Sequence, residues 1–242
     1  MLDGIDYNLV KIWQGIIQRN SAAGWDLVLR DETAFLKSPT NAPNLNLCLN
    51  PTQDSHITYA HSFFKGKTFG VITDREVIIP KGCQLQVDVK LEEMQIEVEK
   101  LSGIADVVDV IRVQDDDQLR QWSSLSAAIN GLGYEDVYTF MKAFFQLPDC
   151  AFFIKYQEGN PAGIGQVYID DRKLAYVSSI GVVEHYRKQG IGTQIMNKIL
   201  CHSLNNGAQK FALHASEMGQ YLYGKLGFKL SKKCSFKVLV QN

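Results

Sequence analysis

The chain has no apolar run long enough to cross a bilayer, no excess of either charge and no clustered cysteines. The first absence excludes a spanning helix, which needs about 20 apolar residues. The opening Met1-Leu2-Asp3-Gly4 also lacks the basic-then-apolar pattern of an export signal, so a cytoplasmic protein is expected. Lysine and arginine number 25 against 26 acidic residues, a net charge of -1. That balance supplies neither the basic footprint of a nucleic-acid binder nor a basic tail for a lipid surface. Neither nucleic acid nor membrane is therefore an expected partner. The five cysteines (Cys48, Cys83, Cys150, Cys201 and Cys234) are odd in number, scattered and never in C-x-x-C spacing. A metal site or disulfide framework needs clusters, so they read as reduced thiols and no metal is expected.

What is present is an ordinary globular composition over 242 residues, 45% hydrophobic and 21% charged, enough for one large or two small domains. In the first half, apolar residues from Ile5 to Ile17 have helical spacing. Strands are expected over Trp25 to Leu29 and Leu45 to Leu49, then a helix over Gln53 to Phe64 and a strand over Phe69 to Ile72. Val77 to Leu91 is β-rich, broken at Pro80-Lys81-Gly82, and 92 to 105 reads as a junction.

From Val107 the expected order is β-α-α-β-β-β-loop-α-β-α-β-β. Val107 to Val113 is a strand, and Asp115-Asp116-Asp117 suits a helix start, where negative charge meets the positive end of the dipole. Helices over 118–130 and 135–146 precede a hairpin, Cys150 to Tyr156 with Gly163 to Ile169. Leu174 to Val183 follows as a third strand. A helix over about 190 to 206 carries one apolar face, and Gly207 ends it. Phe211 to His214 is a strand, Glu217 to Leu226 a short helix and Phe228 to Val240 a terminal β arm. The first half runs helix, strands, helix, strand in the same sense, a faint internal repeat.

The sharpest feature is Arg187-Lys188-Gln189-Gly190-Ile191-Gly192-Thr193, set between a strand and a helix. Glycine there permits positive φ and close approach to a ligand. The helix start supplies unpaired N–H groups and a partial positive charge, which suit a diphosphate, and Arg187 and Lys188 add charge. Two rival phosphate motifs fail. A dinucleotide G-x-G-x-x-G would need glycine where Ile195 stands. Gly66-Lys67-Thr68 would need glycine at His61 and a helix after it, where strand-like Phe69-Gly70-Val71-Ile72 follows.

The loop has company. Ser179-Ile180-Gly181-Val182-Val183-Glu184-His185-Tyr186 precedes it, and Tyr221-Leu222-Tyr223-Gly224-Lys225-Leu226-Gly227-Phe228 lies downstream. This set resembles the core motifs of the Gcn5-related N-acetyltransferases (GNAT). Arg187, Gly190 and Gly192 match Arg/Gln-x-x-Gly-x-Gly/Ala, and Tyr223 to Phe228 match a helix ending in Tyr-x-Lys-Leu-Gly-Phe. The likeness runs over about 107 to 240. Glu184 stands where the family often has proline, and Ser216 where it often has asparagine.

The resemblance implies an α+β fold: a mixed, mostly antiparallel central sheet with flanking helices. It implies a GNAT domain over 104–242 and a smaller N-terminal α/β domain over 1–103. That first half resembles a degenerate, non-catalytic GNAT half, with Leu45 to Pro51 and the next helix as a worn copy of the phosphate strand and helix; an unrelated α+β domain is the alternative.

By the same resemblance, acetyl-CoA is the cosubstrate and an amine of a small molecule or peptide the acceptor. The cofactor would be held by Arg187, Lys188, Gln189, Gly190, Ile191, Gly192 and Thr193, with Ile180 and Val182 along the pantetheine arm and Ser216 near it. The Val182 N–H would face the acetyl oxygen. Tyr223 would be the general acid, its phenol protonated at neutral pH. No base is assigned: Glu184, His185, His214, Glu135 and Asp136 all stay open. A non-catalytic CoA-binding module and a protein-interaction subunit are the alternatives, and the sequence leaves a homodimer open.

Overall fold

Apolar positions at helical spacing fold as α1 (Gly4–Arg19), which buries Ile5, Leu9, Ile12, Trp13 and Ile16. The computed structural model describes residue 2, residues 4–19 and residues 24–242. Met1 and Asp3 of the opening tetrapeptide lie outside the described residues. The described chain forms two compact units: one of 1–93, 214–220 and 230–242, the other of 94–213 and 221–229.

In the first unit, β1 (Asp26–Arg30) and β2 (Thr33–Lys37) pair antiparallel, Arg30 opposite Thr33. The strand β2 was not foreseen. Its turn is Asp31-Glu32, both at positive φ (44° and 67°). Two-residue hairpin turns need that geometry and usually signal it with asparagine or glycine, neither of which stands at 31 or 32. The strand β3 (Leu47–Leu49) pairs antiparallel with β2. After it, α2 (Asp54–Phe63) crosses to β4 (Phe69–Thr73), which runs parallel to β3. The fully buried Phe35, Cys48, Ile57, Ala60, Phe64, Phe69, Val71 and Leu239 form this unit's core.

The β-rich region continues further than expected. The strand β5 (Cys83–Glu97) runs through what reads as a junction: Leu85, Val87, Val89 and Leu91 alternate along one face, and Met94 and Ile96 are buried on the other. The terminal arm is one strand rather than two, β11 (Lys229–Gln241), pairing antiparallel with β4 at Ser235↔Thr73 through Leu239↔Phe69. Strand β6 is shorter than read, Val110–Arg112.

In the second unit the expected order holds. Helix α3 (Asp116–Asn130) starts at Asp115, whose carboxylate accepts from the Gln118 N–H at 2.8 Å. Gln118 reaches back to accept from the Gln114 N–H at 2.7 Å. These two bonds satisfy donors that a helix start leaves open. Helix α4 spans Tyr134–Phe145. The strands β7 (Cys150–Gln157), β8 (Asn160–Ile169) and β9 (Leu174–Val182) form an antiparallel meander, with β6 on β7. Helix α5 (Ile191–Asn205) then leads to β10 (Lys210–Ala215), parallel to β9. Helix α6 is Glu217–Lys225.

Both units thus contain three antiparallel strands, a helix, and a strand parallel to the third. Gly163 and Gly165 of β8 let α5 pack tightly. A Cβ at Gly165 would lie 2.6 Å from Ile195 and 2.8 Å from Ile199. No described helix is long and apolar enough to cross a membrane.

Candidate active site

The end of β9 and the start of α5 carry most of the residues singled out by sequence. Strand β9 departs from a regular ladder at Ser179–Ile180, where two residues oppose Gly165 of β8. Ser179 takes φ 55° there, the signature of a bulge that bends the strand. The Gly165 carbonyl accepts from the Trp122 indole N–H at 3.2 Å.

On its other side, β9 pairs with β10 only at Leu174↔Lys210, Ala175↔Phe211 and Tyr176↔Ala212. Both strands continue beyond those pairs, so among the described residues the lower part of β9, including Ile180 and Val182, has no ladder partner on that side. The Val183 N–H donates to the Ala162 carbonyl of β8 at 2.9 Å. By the two-residue alternation, the N–H and C=O of Val182 point away from β8.

After a single 3₁₀ turn (Glu184–Tyr186), the chain enters the glycine loop. Arg187, Lys188, Gln189 and Gly190 are all exposed. The Arg187 Nε donates to the Val182 carbonyl at 3.2 Å, and the Gln189 amide to the His185 carbonyl at 3.2 Å. Lys188 takes φ 61° and Gly190 φ 80°, so left-handed backbone occurs twice within three residues. The first helical N–H to find a backbone acceptor is that of Gln194, at 3.1 Å from the Gly190 carbonyl. Those of Ile191, Gly192 and Thr193 precede any intrahelical acceptor. A Cβ at Gly190 would meet nothing within 4 Å, so open space lies over this helix start. The Ile191 side chain is buried, which leaves its main chain alone available to a ligand.

Helix α6 reaches the loop through a residue that sequence reading missed. A Cβ at Gly192 would lie 3.2 Å from Leu222 Cδ2. Tyr223 follows Leu222, is buried and stacks at a tilt on Phe228, centroids 6.1 Å apart. Its hydroxyl has no hydrogen-bond partner among the described residues, and desolvation pushes the phenol up to about 12. Leu222 had no signal beyond apolarity. Ile129 of α3 is another such contact, 3.1 Å from a Cβ built on Gly181.

Ser216 lies in the first unit, exposed, where its carbonyl accepts from the Gly219 N–H at 2.8 Å. Of the base candidates, Glu184, His185 and Glu135 are exposed. His214 is half-buried in the first unit, and desolvation, then the positive charge of Lys232, pushes it down to about 4.

The corresponding strand and helix of the first unit are built differently. Strand β3 is paired with β4 along its whole length, and the Asn50 N–H extends the ladder to the Ile72 carbonyl at 2.9 Å. The first turn of α2 carries Asp54, ion-paired to Arg75 at 3.0 Å. Beside it, His56 Nδ1 lies 2.7 Å from Thr33 Oγ1, whose hydroxyl donates to the Asn50 carbonyl at 3.0 Å.

A family profile described as Acetyltransferase (GNAT) family matches residues 117–228, which span α3 through the loop to Phe228. This segment belongs to the GNAT acetyltransferase family. N-acetyltransferase YobR of Bacillus subtilis strain 168, itself uncharacterised, is 29% identical over 111 residues. That match covers 44% of this chain and 44% of that protein, less than half the relative's length. A crystal structure of a GNAT-family protein from Novosphingobium aromaticivorans shares the fold over 97% of this chain and 99% of its own, with TM-score 0.68 and 15% identity. A tandem GNAT protein of the clavulanic acid biosynthesis pathway aligns over 95% of this chain and 87% of its own, with TM-score 0.59 and 13% identity. The GNAT fold expected from the motifs is therefore the fold observed.

Proposed function

We propose that this chain transfers the acetyl group of acetyl-CoA to a primary amine of a small molecule or peptide, by direct attack on the thioester. The observation that carries the reading is the pairing of an open strand edge with an open helix start. The edge is β9 beyond Tyr176, and the helix start is that of α5 beyond Gly190. Main-chain N–H groups from Gln189 to Thr193, with Arg187 and Lys188, suit the diphosphate. Ile180 and Val182 offer main-chain groups to a pantetheine arm. Holding the remote nucleotide turns binding energy into orientation of the acetyl group.

The unpartnered Val182 N–H is the donor for the oxygen that gains charge as the amine attacks. One such donor is worth about 3 kcal/mol in the transition state. Tyr223, kept protonated by burial, donates its hydroxyl hydrogen toward the leaving sulfur. The domain reading goes with this function. Residues 104–242 form the acetyltransferase domain, and 1–103 a GNAT-like half without cofactor chemistry, as the closed β3–β4 pair and the tandem relative support.

The test is release of free CoA thiol from acetyl-CoA across a panel of primary amines, with Tyr223→Phe as control. Turnover with at least one amine, lost in the variant, supports the reading. Binding of acetyl-CoA without turnover of any amine replaces it with a CoA-binding module.

A further inference from the structure

We propose that Tyr221 and Lys225 of α6 hold the nucleoside 3′-phosphate end of the cofactor. The donor would then be free acetyl-CoA, and not an acetyl group carried on a protein-bound phosphopantetheine, which has no nucleoside. This role rests on the acetyl-transfer reading above. The fixed point is Leu222, whose Cδ2 lies 3.2 Å from a Cβ built on Gly192. Gly192 stands in the first turn of α5, beside the N–H groups that suit the diphosphate. Residues 221–225 of α6 and the whole of α5 belong to the second unit.

Each residue of a helix is turned about 100° from the one before. Tyr223 therefore lies about 100° from Leu222 in one sense, and Tyr221 about 100° in the other. Lys225 falls between Leu222 and Tyr221, about 60° from Leu222. The two sides of Leu222 differ as the two ends of the cofactor do. Tyr223 is buried, on the side given to the thioester. Tyr221 is 72% exposed despite its large ring, and Lys225 is exposed beside it.

The Lys225 Nζ stands 4.4 Å from the centroid of the Tyr221 ring. The ammonium covers one face of the ring, and the exposure of Tyr221 leaves the other free for a base. Lys225 has no ion-pair partner among the described residues. An aromatic face stacks on any base, and a cation without a carboxylate beside it suits a phosphate. The pair therefore matches a purine and the phosphate on its ribose, next to the helix start that suits the diphosphate.

The test titrates the full-length protein with acetyl-CoA, 3′-dephospho-acetyl-CoA and acetyl-4′-phosphopantetheine, for wild type, Tyr221→Ala, Tyr221→Phe and Lys225→Gln. Tyr221→Ala should weaken acetyl-CoA by about tenfold and leave acetyl-4′-phosphopantetheine within about twofold. Tyr221→Phe keeps the ring and should bind acetyl-CoA like wild type. In wild type at low salt, acetyl-CoA should bind about fivefold tighter than its 3′-dephospho form, and Lys225→Gln should bring the two to equal affinity. Unchanged urea midpoints show that the variants are folded.

Equal weakening of acetyl-CoA and acetyl-4′-phosphopantetheine in Tyr221→Ala, or weakening of neither, overturns the stacking role. An unchanged ratio between acetyl-CoA and its 3′-dephospho form in Lys225→Gln overturns the phosphate contact. Equal binding of all three ligands by wild type overturns the whole site while leaving the phosphate loop standing. Failure of all three to bind overturns this site and the acetyl-transfer reading together.

Discussion

The main-chain N–H of Asn50 donates to the carbonyl of Ile72 at 2.9 Å, and so extends the β3–β4 pair one residue past β3. The equivalent pair in the second unit, β9 with β10, stops at Tyr176↔Ala212 while β9 continues to Val182. The same succession of three antiparallel strands, a helix and a parallel strand is therefore closed in one unit and open in the other. Asp54 in the first turn of α2 reinforces the difference, since a carboxylate at a helix start opposes a bound phosphate.

This contrast predicts one acetyl-CoA per chain. Isothermal titration of the intact protein should give a stoichiometry close to one. A value close to two would mean that the β3–β4 pair opens to admit a second cofactor.

Tyr223→Phe should leave both the fold and acetyl-CoA affinity nearly unchanged, because the hydroxyl has no partner among the described residues. Turnover should fall by about 10² or more, the usual contribution of a placed proton donor. Equal kcat for the variant and wild type would remove Tyr223 from the chemistry.

Gly165→Ala tests the packing that holds α5 in place. The added Cβ would lie 2.6 Å from Ile195, 2.8 Å from Ile199 and 2.9 Å from Ile180, all branched side chains with little room to yield. Overpacking of this kind costs about 1–3 kcal/mol, to be read from the midpoint of urea unfolding. An unchanged midpoint would mean that α5 moves aside freely.

The pH dependence of stability has a distinct source in His214. Its folded value, about 4, lies below the ordinary value of 6.5, so between them the unfolded chain binds the proton and the folded one does not. Stability is therefore full above pH 6.5 and declines as pH falls toward 4, with a slope of up to about 1.4 kcal/mol per pH unit from this group. His214→Gln should flatten that part of the curve. An unaltered slope would place the acid sensitivity elsewhere.

Much of this was legible in the sequence because local chemistry and tertiary structure agree. Arg187 to Thr193 needs glycine for φ 80° at Gly190, and that requirement is written in the residue itself. The Asp115 cap and the Gly131 terminus, at φ 64°, likewise announce the bounds of α3. What was hidden depends on contacts without a local cue. The Asp31-Glu32 turn adopts positive φ with residues that rarely favour it, so β2 went unseen. Leu222 and Ile129 approach the site as ordinary apolar side chains. The pairing of β11 with β4 joins residues more than 150 positions apart, which no window of sequence can reveal.

The central claim is that main-chain amides at the start of α5 grip the cofactor's diphosphate. It is tested most directly by thermal unfolding with and without acetyl-CoA, for wild type, Gly190→Glu and Gly192→Glu. Ligand at about 100 times Kd should stabilise wild type by about 2.7 kcal/mol, which raises Tm by roughly 5–10 °C for a protein of this size. Neither variant should show that rise. A wild-type Tm indifferent to saturating acetyl-CoA, or a full shift retained by both glutamate variants, would contradict the account.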